Sequence, residues 1–151
     1  EDQKGAVTKL RTLGYELGSL VNETPALVGK LLKHFRESEV YFSAHTSNVA
    51  VYSCAIAQRL GYSVDELKQL VFGCLVHNIG NSLVPKAILF KDSALDAEEW
   101  RAIQRHPAQG AELLEYLNCP SEIVLMAAIA NILLQLFWLF KILKTLAQQK
   151  I

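Results

Sequence analysis

Ser63-Val-Asp-Glu-Leu-Lys-Gln-Leu-Val-Phe-Gly-Cys-Leu-Val-His-Asn-Ile-Gly80 reads as the start, body and end of one helix. Ser63 is an N-cap and Glu66 follows three positions later, the spacing of a capping box in which each side chain serves the other residue's backbone N–H. Behind it Leu67, Leu70, Val71, Cys74, Leu75 and Val76 leave little polar surface. A helix this apolar is expected at the centre of a fold, covered by other helices, and to stop near Gly80.

The flanking sequence supplies those helices. Upstream, Ser43 to Leu60 carries Val49, Ala50, Tyr52, Cys54, Ile56, Ala57 and Leu60, with Gly61 placed for a left-handed C-terminal cap. Val7, Leu10, Leu13, Leu17, Leu20 and Val21 recur at helical steps, and Gly14 and Gly18 permit close approach by a neighbour. Thr24-Pro25 starts a further helix through Leu27, Val28, Leu31, Leu32 and Phe35, before a polar break at Arg36 to Glu39. Downstream come a loop with Pro85, a helix capped by Asp96 through Glu98, Trp100 and Ile103 and interrupted at Pro107, and another from Ser121 to Ala130. No strand periodicity and no internal repeat is present. The expected fold is an all-α bundle forming a single domain over 1–151.

Composition narrows the function classes. Of 151 residues, 51% are apolar and 20% charged, a globular balance. Fifteen Lys and Arg against 15 Asp and Glu give zero net charge, which disfavours a nucleic-acid polymer as partner. The mean hydropathy of +0.19 points to apolar surface that meets another chain or a membrane. Ile123 to Phe140 is uncharged, with Asn131 and Gln135 as its polar breaks. The two amides favour buried or interface helices over a membrane span, so a protein partner or self-association through the C-terminal helices is expected. Cys54, Cys74 and Cys119 have no C-x-x-C spacing and read as inert thiols in a reducing compartment. The polar start without a signal peptide points to the cytoplasm, and the absence of an initiator Met suggests a piece of a longer chain.

His34 reads as a surface residue on an amphipathic helix. His45, His77 and His106 stand on three other predicted elements, 32 and 29 residues apart. Imidazole is a common transition-metal ligand, and three from separate helices of a bundle can meet at one ion. On chemistry alone, three scattered histidines are more often a capping or core-satisfying set.

The surrounding residues resemble the HD-GYP domains, bacterial members of the HD superfamily of metal-dependent phosphohydrolases. His45-Thr-Ser-Asn-Val-Ala50 with Ala57-Gln-Arg-Leu-Gly61 is similar to the family's opening. His77-Asn-Ile-Gly-Asn81 resembles its H-D-I-G-K, and His106-Pro-Ala-Gln-Gly110 its H-P-x-x-G. Pro85, Ile88, Leu89, Lys91, Leu95 and Glu99 fall where the family has its loop and helix start. The resemblance covers about residues 40 to 117. It implies an HD-like core over 40–117, between N-terminal helices over 1–39 and apolar C-terminal helices over 118–151. It also implies metal ligation by His45, His77 and His106, cyclic di-GMP as substrate, and a substrate-facing role for Lys91.

The departures fall on the chemistry. Asn78 replaces the Asp that bridges two metals, and Asn81 replaces the signature Lys. The family's later paired His with a carboxylate and its G-Y-P segment have no counterpart here: no His follows His106, no Asp follows Asp96, and no G-Y-P is present. Either the domain is degenerate, or a segment is missing from the sequence near 130–132. The expectation is a non-catalytic signalling or binding module for cyclic dinucleotides, with no tightly bound cofactor and at most one loosely held Zn, Fe or Mn. The alternatives are an active phosphodiesterase with an altered metal site and a helical oligomerisation domain.

Overall fold

The computed structural model of the protein describes residues 3–24 and 41–129. The regular elements are all helices, with no strand among the described residues. The predicted helix from Pro25, His34 and everything past 129 lie outside them. The chain divides into two compact units, Glu1–His77 and Asn78–Ile151.

The first unit holds α1 (Gln3–Glu23), α2 (Tyr41–Arg59) and α3 (Val64–Val76). The capping box forms as read: Ser63 Oγ accepts from the Glu66 N–H, and the Ser63 N–H donates to Glu66 Oε2 at 2.7 Å. α3 is the centre, with Leu67, Val71, Phe72 and Val76 fully buried between the other two helices. The glycines of α1 set its distance from α3. A Cβ on Gly14 would stand 2.8 Å from the Phe72 Cα, and one on Gly18 3.0 Å from the Lys68 Cα. Around this contact Arg11 lies over the Phe72 ring, Tyr15 meets its edge, and Gln69 donates to the Tyr15 hydroxyl at 2.7 Å. Gln58 of α2 donates to the Asn22 carbonyl at 3.1 Å, serving one of the C-terminal carbonyls that α1 cannot satisfy internally. α2 ends as expected: Gly61 has φ +83°, and the Tyr62 N–H returns to the Ala57 carbonyl.

α1 departs from its sequence reading in one respect. Its apolar positions do not all face inward: Val7, Gly14, Gly18 and Val21 are buried, whereas Leu13 and Leu20 are exposed. The close backbone approach selects the glycine face, and that turns the leucine stripe aside.

The second unit begins at Asn78. A 3-10 turn, Ile79–Leu83, leads to α4 (Lys86–Leu89), α5 (Ala97–Gln104), α6 (His106–Tyr116) and α7 over 121–129. The helix expected to reach Gly80 stops at Val76, and Gly80 belongs to the turn packed on α6. The stretch read as a loop at Pro85 contains the short α4. Asp96 caps α5 in a second box, accepting from the Glu98 and Glu99 N–H groups while Glu99 accepts from the Asp96 N–H. The break at Pro107 is the start of α6, where proline's missing N–H is harmless. Asn118, in the left-handed region at φ 55°, ends α6. Val84, Leu114, Ile123 and Ala127 are buried here. No described helix is long and apolar enough to cross a membrane, and the span Ile123 to Phe140 leaves the described residues at 129.

Candidate functional site

In the first unit α2 and α3 bring two of the expected histidines together. The His45 and His77 rings lie 5.7 Å apart between centroids, inclined at 59°. His77 follows the last residue of α3, where the final carbonyls have no intrahelical partner. Its Nδ1 reaches back to one of these, Cys74 O, at 2.6 Å. A carbonyl only accepts, so Nδ1 is the donor here, and in the neutral ring Nε2 holds the lone pair.

In the second unit His106 opens α6 and is buried. It repeats the arrangement: Nδ1 donates to the Ile103 carbonyl at 2.7 Å, which again leaves Nε2 as the basic nitrogen. Burial lowers its pKa below the ordinary imidazole value, against a smaller opposing effect of the Ile103 carbonyl, and this favours the neutral ring that a metal requires. The 3-10 turn sits directly on this residue. A Cβ on Gly80 would meet the His106 carbonyl carbon at 2.7 Å and the Gly110 nitrogen at 2.9 Å, and its oxygen closer still. Gly80 and Gly110 are therefore the contact through which the turn after Asn78 seats on α6. The sequence reading took them as motif letters and missed this role, because a helix-to-turn approach leaves no periodic trace.

The other expected site residues are also in the second unit. Asn78 precedes the 3-10 turn, and its carbonyl accepts from the Asn81 N–H at 3.0 Å. Lys91, expected to face substrate, is held by Glu99, with Nζ 2.7 Å from Oε1. That ammonium keeps the Glu99 carboxyl below its usual pKa, with further help from the Asp96 N–H.

Taken singly, His77 and His106 each have a backbone carbonyl that orients the ring, as imidazole ligands of metals do. Asn78 does not fit the bridging role, because an amide oxygen is neutral and its nitrogen donates. Among the described residues no group of three or more His, Cys, Asp or Glu side chains is gathered for a metal.

A family profile described as HD domain matches residues 42–137. The chain belongs to the HD domain family. The 3'3'-cGAMP-specific phosphodiesterase 3 of Vibrio cholerae is 40% identical to this HD domain over 78 residues, which are 52% of the chain and 17% of that protein. The 3'3'-cGAMP-specific phosphodiesterase 2 of the same organism is 34% identical over 71 residues, 47% and 14% of the two chains. A cyclic di-GMP phosphodiesterase of Thermotoga maritima is 30% identical over 90 residues, 60% and 24%. The HD domain thus spans less than a quarter of each of these relatives. No solved structure matches it.

Proposed function

We propose that this HD domain is a degenerate member that binds a cyclic dinucleotide as a signalling or regulatory module and does not hydrolyse it. Asn78 carries the proposal. Metal-assisted phosphodiester hydrolysis uses paired cations to activate water and to hold the phosphate, and a bridging carboxylate is what pairs them. With an amide at 78 and no Lys at 81, the chain lacks both the bridge and a phosphate contact. His45, His77 and His106 are the imidazoles that the resemblance leaves for at most one loosely held Zn, Fe or Mn ion, which would supply a Lewis acid. The ligand class rests on the relatives, which are named for 3'3'-cGAMP and cyclic di-GMP.

The second reading is an active phosphodiesterase with an altered site. What favours it is the retained ligand tautomer at His77 and His106 together with the names of the relatives. One experiment separates the two. Cyclic di-GMP and 3'3'-cGAMP are titrated into the protein by calorimetry and incubated with it in the presence of Mn or Fe, wild type beside Asn78→Asp with Asn81→Lys. Binding without turnover is expected for both proteins, since the double change restores neither the paired His nor the G-Y-P segment. Turnover by the wild type overturns the proposal in favour of the second reading. Absence of binding overturns both the ligand assignment and the module reading.

A further inference from the structure

α1 carries more apolar surface than α3 covers. Leu10, Leu13, Leu17 and Leu20 follow one another at steps of three, four and three, the seam of a two-stranded coiled coil. The face α3 takes is the neighbouring one, Val7, Gly14, Gly18 and Val21. The leucine seam is left to the outside: Leu13 is 51% and Leu20 43% exposed, with Leu10 and Leu17 half-buried. We infer that α1 is a self-association helix, pairing with the same helix of a second copy through this seam. The inference does not depend on what the domain binds.

Charge selects the orientation. The edge of the seam away from α3 carries Lys9, Glu16 and Glu23, all exposed. The other edge carries Val7, Gly14 and Val21, already buried. A parallel pair sets each charged edge against the partner's buried one and gains no ion pair. An antiparallel pair about a two-fold axis sets the two charged edges together. With Leu10 opposite the partner's Leu20, and Leu13 opposite the partner's Leu17, Lys9 comes beside the partner's Glu23, twice per dimer. Glu16 then meets the partner's Glu16 near the axis, a like-charge contact that weakens the pair. The seam spans three turns, short of the roughly 800 Å² per partner of a standard stable interface, so the dimer is expected in the micromolar range.

The test is sedimentation equilibrium of the protein from about 1 to 100 μM. The wild type is expected to dimerise across this range. Leu13→Glu with Leu20→Glu should be monomeric with unchanged helical circular dichroism, because both side chains lie on the exposed face of α1 and outside its contact with α3. Lys9→Glu should weaken the dimer about tenfold, and adding Glu23→Lys should restore it, since the swap recreates both ion pairs. A wild type monomeric at the highest concentration overturns the inference, as does a dimer indifferent to the double leucine change. A dimer that Lys9→Glu does not weaken overturns the antiparallel orientation.

Discussion

Gly80→Ala is the substitution that most directly tests how His106 is held. The added methyl carbon would stand 2.7 Å from the His106 carbonyl carbon and 2.9 Å from the Gly110 nitrogen. Both are backbone atoms of α6, so no rotamer change relieves the overlap. The 3-10 turn and α6 must part by on the order of 1 Å, and overpacking of this kind costs about 1–3 kcal/mol, here at the upper end. For a chain of 151 residues that corresponds to a Tm lower by roughly 6–12 °C. Two other glycines calibrate the measurement. Gly61→Ala meets nothing within 4 Å and bears only the strain of φ +83°, on the order of 1 kcal/mol. At Gly110 the methyl would sit 3.0 Å from the Gly80 nitrogen, and the gain in helix propensity of about 1 kcal/mol offsets part of that contact. Thermal melts followed by far-UV circular dichroism should therefore rank Gly80→Ala as the most damaging. A Gly80→Ala protein as stable as wild type, or more stable than Gly61→Ala, would refute the close approach and with it the account of how the turn seats on α6.

Gly14→Ala should destabilise by about 1–3 kcal/mol in a urea melt, because the Phe72 Cα at 2.8 Å outweighs the helix-propensity gain. Stability should fall in acid through Glu99. Its folded pKa is lowered, so its contribution is present above the ordinary carboxylate range and is lost as pH falls through the lowered value; Glu99→Gln should flatten that limb of a stability-against-pH curve. Asp96→Ala should lower the denaturation midpoint through the lost cap of α5. Elemental analysis after incubation with Zn, Fe or Mn should give at most one equivalent per chain, removable by chelator, and two equivalents would contradict the reading of Asn78.

Features governed by local rules were legible in the sequence. The Ser63 box, the Asp96 cap, the left-handed Gly61 and the break at Pro107 form as read, because each depends on residues within one turn of chain. The α3 core was legible because a helix apolar on nearly every face has one place to go. What the letters did not carry was which apolar face of α1 a neighbour would choose, since Val7 and Leu10 look alike until Gly14 meets the Phe72 backbone. The histidines were read as ligands through the resemblance alone, and the ring orientation of His77 and His106 was not legible. Their tautomers are fixed by backbone carbonyls of Cys74 and Ile103, groups every residue possesses. Lys91 was read as substrate-facing, but Glu99, read as a helix-start residue, also binds it.

That double duty of Glu99 has a dynamic consequence. One carboxylate closes the first turn of α5 and also tethers the chain eight residues upstream, so the stretch between is lashed into a lasso. Opening the helix start moves the carboxylate that holds Lys91, and losing Lys91 leaves that carboxylate held by the Asp96 N–H alone. Residues 91–99 should then behave as one breathing unit, their amides exchanging with solvent together rather than fraying one at a time.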